Sequence, residues 1–293
     1  MGTLRVRWLG TVRYSDALAL QERLFEGTSD HLLLLEHPHV YTLGLSTDRA
    51  NILVEPATVG AEMVEVKRGG DVTYHGPGQL VGYPILNVPG RRGGGMADTV
   101  AYVRSVEQVL IDSLAELGLP NAGRLRDYPG VWIDPDGDNP RKIAAIGVRL
   151  SHGRSMHGFA LNIEPDMAMF THIVPCGIVG KAVTSLRLEG VTASMHEVVD
   201  IVTRRATQEW GGSGMERADV AWRVEATDLS AFTRGEGPGQ PVGRRREAGA
   251  VVWRRWASRA ASTLPPASPN GCGSSSTPGR SISASSPSCE SCR

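Results

Sequence analysis

Hydrophobic positions change their period several times along residues 1–212, and each change marks an element. Leu18, Leu20 and Leu24, set among polar residues from Ser15 to Phe25, predict a short helix. His31 to Glu36 is a short apolar run between polar residues, which predicts a buried strand. Val40 to Leu43 and Met63 to Arg68 predict further strands. Gln79 to Val88 is apolar and β-tolerant, and Pro84 within it predicts an edge position or a bulge, because proline cannot donate to a central ladder. From Asp98 to Leu117, Val100, Val103, Val106, Val109, Leu110, Leu114 and Leu117 fall mostly at helical spacing, and Gly118 and Pro120 end the helix. Gly130 to Asp134, Lys142 to Leu150 and Met156 to Ile163 are three β-like stretches, the first two flanking a turn-rich segment that ends at Pro140, as in a hairpin. Ser194 and Glu197 fit a capping box, from which Val198, Val199, Ile201, Val202 and Ala206 carry an amphipathic helix to Trp210.

Strands and helices so interleaved predict a domain of alternating α and β elements over residues 1–212. Beyond Gly211 the pattern stops. Residues 213–293 are rich in Gly, Pro, Ser and Arg and cannot bury enough apolar surface to order themselves, so a low-complexity, disordered tail is expected. Val251 to Trp256 is an exception that fits a short Arg/Trp amphipathic helix.

Charge narrows the partners. The 293 residues carry 31 basic and 31 acidic side chains, so no global positive field favours nucleic acid. The N-terminus alternates Arg with apolar residues and lacks the apolar stretch of a secretory signal. No apolar run approaches the ~18 residues of a membrane helix. A soluble, cytoplasmic protein is expected. Only three of the basic residues are lysines, Lys67, Lys142 and Lys181. Arginine stays protonated, whereas lysine can serve as a base, so each lysine poses a specific chemical question.

Cys176 is the one cysteine of the predicted domain; Cys272, Cys289 and Cys292 lie in the tail. It has no intramolecular disulfide partner within the domain, which leaves an inert small hydrophobe or a working thiolate. The densest segment is Arg68 to Gln79, where four glycines, a proline and several hydrogen-bonding side chains fall within twelve residues. Its glycines allow close backbone approach to a ligand. Gly76 to Gly82 is one residue too long for a dinucleotide fingerprint and lacks a following helix pattern. Asp134, Asp136 and Asp138 lack the Gly and Glu positions of a calcium loop. His172 and Cys176, or Cys289 and Cys292, have ligand spacing without a second pair nearby, so no metal is expected. A cysteine nucleophile needs a base or cation beside it. Lys142, His75, His157 and His172 all qualify, and spacing does not choose among them.

Four segments together closely resemble the octanoyltransferases of lipoate biosynthesis: Arg68 to Gln79, Lys142 to Gly147, His157 to Asn162 and Pro175 to Ile178. Glu36 to Pro38 and Val40 to Gly44 are also similar, and the resemblance spans roughly residues 5–212. It implies an α/β (α+β) fold, a mixed β-sheet flanked by helices like the biotin and lipoate protein ligase catalytic domain, and transfer of an octanoyl group from octanoyl-acyl carrier protein to a lysine of a lipoyl domain, without a cofactor. The acceptors implied are lipoyl domains of 2-oxoacid dehydrogenase complexes and the glycine cleavage H protein, with no nucleic acid and no membrane. By position the family's thioester-forming cysteine is Cys176 and its activating lysine is Lys142. Its acyl-binding segments fall on Arg68, Gly69, Gly70, Asp71, Val72, Thr73, Tyr74 and His75, on Ala145, Ile146 and Gly147, and on Gly158, Phe159 and Ala160. Two other readings are an ATP-dependent lipoate or biotin ligase on the same fold, which would use no cysteine nucleophile, and a non-catalytic module that holds lipoyl domains or acyl chains.

Overall fold

The computed structural model describes residues 2–90, 97–174 and 181–220. In chain order these residues form β1 (Leu4–Thr11), α1 (Tyr14–Phe25), β2 (Asp30–Glu36), β3 (Val40–Leu43), β4 (Glu62–Glu65), β5 (Thr73–His75) and β6 (Gln79–Ile85). There follow α2 (Thr99–Glu116), β7 (Ala122–Leu125), β8 (Tyr128–Ile133), β9 (Arg141–Ser151), β10 (Arg154–Asn162), β11 (Ala182–Val183), α3 (Met195–Trp210) and β12 (Met215–Arg217). The main sheet is mixed, in the order β12-β1-β2-β6-β10-β9-β8-β7, with β11 added beside β9. A smaller sheet, β4-β3-β5, carries the glycine-rich segment at its edge.

The main sheet is buried on both faces, which explains the unbroken apolar run in β2. Leu32 and Leu34 join the core under α2 and α3, while Leu33 and Leu35 face α1 together with Ala17, Val81, Tyr83 and Ala160. All four leucines are fully buried, each worth roughly 1.5–3 kcal/mol relative to exposure. Both long helices start as the sequence predicts. Asp98 accepts from the Ala101 N–H at 3.1 Å and Ser194 Oγ from the Glu197 N–H at 3.2 Å.

Pro84 departs from its expectation. It lies in β6, a central strand between β2 and β10, not at an edge. The β6–β10 ladder stops at Phe159↔Gly82 and resumes at Asn87↔Arg154 in the same register, so no residue is inserted and the irregularity is a gap rather than a bulge. The missing donor is tolerated because other groups use the strand there. The Pro84 carbonyl accepts from Ser155 Oγ at 2.8 Å and Tyr102 Oη at 3.2 Å, and the His157 N–H turns to Gln21 Oε1 at 2.9 Å.

Five strands lie beyond the sequence reading: β1, β5, β7, β11 and β12. β1 pairs in parallel with β2, and β12 pairs in parallel with β1, past position 212 where the sequence placed the end of the domain. The strand expected from Met63 to Arg68 is shorter, since β4 ends at Glu65 and the chain then leaves for the glycine-rich loop. No helix among the described residues is long and apolar enough to cross a membrane. Val251 to Trp256 and the tail cysteines lie outside the described residues.

Candidate active site

The site is built on the α1 face of the sheet, where two neighbouring strands present small residues in register. Gly158 pairs with Gly147 and Ala160 with Ala145, so β9 and β10 form a shallow trough between them. Val81 and Tyr83 of β6 flank it, and Tyr14, at the start of α1, covers it. The loop Arg68 to Gly70 crosses over the open side. Its placement depends on Gly147: a Cβ there would lie 3.1 Å from both Arg68 Cδ and the Gly69 carbonyl, and the Gly69 N–H donates to the Val148 carbonyl at 3.0 Å. The turn after β3 holds the loop from outside, with Leu45 N–H donating to the Arg68 carbonyl and Ser46 N–H to that of Gly70. The result is a narrow cleft beneath the loop, open to solvent at its mouth.

The Arg68 to His75 segment divides into a loop over the cleft, Arg68 to Gly70, and a stretch from Val72 to His75 that alternates with the two-residue period of an extended chain. Arg68, Gly69, Gly70, Thr73 and His75 line the cleft. Val72 and Tyr74 point the other way, into a second core with Tyr41, Met169 and Phe170. Asp71 does not line the cleft; its carboxylate accepts from its neighbour Val72 N–H at 2.6 Å and from Asn51 Nδ2 at 2.5 Å, holding the loop's shape. Ala145, Ile146, Gly147, Gly158, Phe159 and Ala160 all border the cleft, although the Ile146 and Phe159 side chains pack with the opposite core.

Lys142 reaches the same face through a β-bulge. Val131 pairs with Ala144 but Trp132 pairs with Lys142, so Ile143 is an extra residue in β9. Without it, Lys142 and Ala144 would share a face and the amine would enter the α2/α3 core. With it, Ile143 and Ala144 both join that core, and Lys142 lies with Thr73, Gln79, Ala145 and Asn162 around a small cavity. Thr73 and Ala145 also line the main cleft, so the two spaces adjoin. The Lys142 side chain is buried, its Nζ 5.2 Å from the Trp132 ring centroid, a cation–π distance. Gly130 makes room for it: a Cβ there would lie 2.6 Å from Lys142 Cε.

Buried hydrogen bonds hold the polar walls in place. Gln79 Nε2 donates to the Tyr74 carbonyl at 3.2 Å and to Asn162 Oδ1 at 2.9 Å, which leaves its Oε1 to accept from His75 Nδ1 at 2.8 Å. Arg68 donates to the Thr42 carbonyl at 2.7 Å and to Thr42 Oγ1. His37 Nδ1 faces the Val12 carbonyl at 2.6 Å and therefore carries the proton, so its Nε2 accepts from Tyr83 Oη at 2.7 Å. Tyr83 in turn is hydrogen-bonded to Tyr14. Burial drives every imidazole of this group toward the neutral form: His37 falls to about 4, His75 to about 3 with help from His37, and His157 to about 4 with help from Arg68 and Arg149. Burial also lifts the Tyr14 hydroxyl to about 12. The histidine walls are thus uncharged near neutral pH, which suits an apolar guest.

Of the bases weighed from the sequence, His75 and His157 line the cleft, Lys142 lines the adjoining cavity, and His172 lies apart, its Nδ1 3.1 Å from Tyr41 Oη. Cys176 lies outside the described residues, between Val174 and Lys181. Tyr14, Val81 and Tyr83 were not singled out from the sequence. Only the period of β6 pointed to the last two, and nothing local pointed to Tyr14. Among the described residues no cluster of three or more metal-ligating side chains occurs.

The chain matches a family model described as the lipoyl protein ligase A/B catalytic domain over residues 13–207. It is 48% identical over 207 residues to the octanoyltransferase of Solibacter usitatus, covering 68% of this chain and 89% of that one. It is 47% identical over 203 residues to that of Mycobacterium tuberculosis, covering 68% and 83%. Among solved structures, a lipoate-protein ligase A bound with ATP superposes with a TM-score of 0.60 at 16% identity, covering 80% of this chain and 95% of that one. A bi-partite lipoate protein ligase from Thermoplasma acidophilum gives 0.59 at 16%, covering 83% and 100%. These two structures support the mixed-sheet fold.

Proposed function

The chain belongs to the lipoyl protein ligase A/B catalytic domain family and, within it, to the octanoyltransferases, and on that premise we propose that it moves an octanoyl group from octanoyl-acyl carrier protein to a lysine of lipoyl domains through a thioester on Cys176. Lipoyl domains of 2-oxoacid dehydrogenase complexes and the glycine cleavage H protein are the proposed acceptors. The observation that carries the reading is the bulge at Ile143, which sets Lys142 on the trough face at one end of a wall of small residues.

In the first half-reaction Lys142 takes the Cys176 thiol proton. The thiolate attacks the donor carbonyl, the carrier thiolate leaves, and Lys142 returns the proton to it. One thioester replaces another, so no ATP is consumed. In the second half-reaction the acceptor lysine amine attacks the acyl-Cys176 carbonyl, Lys142 accepts a proton from that nitrogen, and Cys176 leaves as thiolate and is reprotonated. The acyl chain lies along Ala145/Ala160 and Gly147/Gly158. The hydrogen bonds of Gln79 and Asn162 keep the cavity around Lys142 open.

The test is transfer from octanoyl-acyl carrier protein to a purified lipoyl domain without nucleotide, in wild type and Lys142→Arg. Wild type should transfer. The variant keeps the positive charge but cannot act as a base, so its rate should fall by about two to four orders of magnitude. Near-normal turnover in the variant would remove Lys142 from the mechanism. A strict need for ATP would favour a ligase.

A further inference from the structure

His157 stands where the trough ends. Counting along β10 from the Lys142 end, Ala160 and Gly158 line the trough and His157 follows them. The backbone path from Ala160 to His157 is about 10 Å at the rise of a strand, comparable to an extended eight-carbon chain. His157 is 2% exposed and lines the cleft. Its φ is 59°, a left-handed conformation that a bulky residue rarely adopts. That conformation follows from the gap opposite Pro84, where its N–H leaves the ladder for Gln21 Oε1.

Two buried polar atoms in this region have no hydrogen-bond partner: His157 Nδ1, and Nε2 of Gln21, the α1 side chain whose Oε1 holds the His157 N–H. Unpaired buried polar atoms are uncommon in folded proteins and call for an explanation. The rest of the deep wall is satisfied, as the Tyr14–Tyr83–His37 chain shows. A neutral imidazole has one donor and one acceptor nitrogen, and the Gln21 amide nitrogen has two donors. This group matches a ligand atom that can both give and accept a hydrogen bond.

Resting on the acyl-transfer reading above, we propose that His157, backed by Gln21, forms a polar subsite at the far end of the acyl cleft and receives a hydroxyl at the terminus of an eight-carbon acyl chain. The subsite sets both chain length and terminal chemistry. A hydroxyl at the eighth carbon replaces a lost hydrogen bond with a good one, whereas two further methylenes meet the imidazole.

The test compares kcat/KM for octanoyl, 8-hydroxyoctanoyl, 7-carboxyheptanoyl and decanoyl thioesters of acyl carrier protein, in wild type, His157→Leu and Gln21→Met. Wild type should use the hydroxylated chain within about threefold of octanoyl, and the hydroxyl-to-octanoyl ratio should fall at least about tenfold in His157→Leu. The decanoyl-to-octanoyl ratio should rise in the same variant. An unchanged ratio, or wild-type preference for the terminal carboxylate, overturns the subsite. If His157→Leu does not fold by circular dichroism, Gln21→Met carries the test with the same expected direction. Calorimetry of free 8-hydroxyoctanoate against octanoate on the full chain reads the subsite without transfer. Hydroxyl-selective binding that His157→Leu or Gln21→Met abolishes, with no octanoyl transfer, would keep the subsite and sink the acyl-transfer reading. Octanoyl transfer with unaltered ratios would do the reverse.

Discussion

Lowering the pH from about 7.5 to about 5 should destabilise the fold through His37, His75 and His157. Each is held by burial below the ordinary value of 6.5, at about 4, 3 and 4. A depressed folded-state value means that the unfolded chain takes up protons which the native chain refuses. The contribution is therefore complete above pH 6.5 and is lost as the pH falls toward 4. Each pH unit in that window costs about 1.4 kcal/mol per group, so roughly 2 kcal/mol per imidazole by pH 5. Three groups give an upper bound of about 6 kcal/mol, a large share of a typical domain's stability of about 5–15 kcal/mol. Their rings are close, with His37 and His75 centroids 5.9 Å apart, so the losses will not simply add. Glu189, held low by its hydrogen bond to Arg141, acts in a different window, because its contribution is lost only below the ordinary carboxylate value of 4.5. Urea midpoints at about pH 7.5, 6.5 and 5 would measure the effect, with His75→Gln, which cannot titrate, showing a shallower fall. Equal stability at pH 7.5 and 5 would refute the neutral-imidazole reasoning.

Two substitutions probe the architecture around Lys142 and the trough. Gly130→Ala places a Cβ 2.5 Å from the Ala144 carbonyl and 2.6 Å from Lys142 Cε, at a φ of 124°, so it should cost about 2–4 kcal/mol in urea unfolding and slow transfer by displacing Lys142. Gly147→Val fills the trough beneath Arg68 and should lower kcat/KM for octanoyl more than for butanoyl, by about fourfold for each methylene that loses its contact, which chain-length kinetics would check.

Much of the scaffold is visible in the chain, and the physical reason differs from element to element. β2, α2 and α3 carry strong periodic or capping signals, and the structure returns them within a residue or two. β1 shows its alternation of Leu4, Val6 and Trp8 with Arg5 and Arg7, yet its parallel partner β12 is three residues long and has no local signal. Pro84 misleads because propensity describes an average strand. Here Tyr102, Ser155 and Gln21 satisfy the groups that a central proline would otherwise orphan. The bulge at Ile143 cannot be read from β9 at all, since an extra residue exists only relative to the partner strand. That is why spacing could not choose Lys142 over the histidines. The family resemblance carried Arg68 to His75 over as a block, whereas the pleat of β5 and the turn before it keep Asp71, Val72 and Tyr74 out of the cleft.

The central claim is that the octanoyl group passes through Cys176. Intact-mass spectrometry after mixing the full chain with octanoyl-acyl carrier protein, without an acceptor, tests it most directly. The account predicts a single added octanoyl group, mapped to Cys176 by peptide analysis, labile to hydroxylamine, and absent in Cys176→Ser. Unmodified wild-type protein that still transfers octanoyl to a lipoyl domain, or a Cys176→Ser variant that transfers at the wild-type rate, would contradict it.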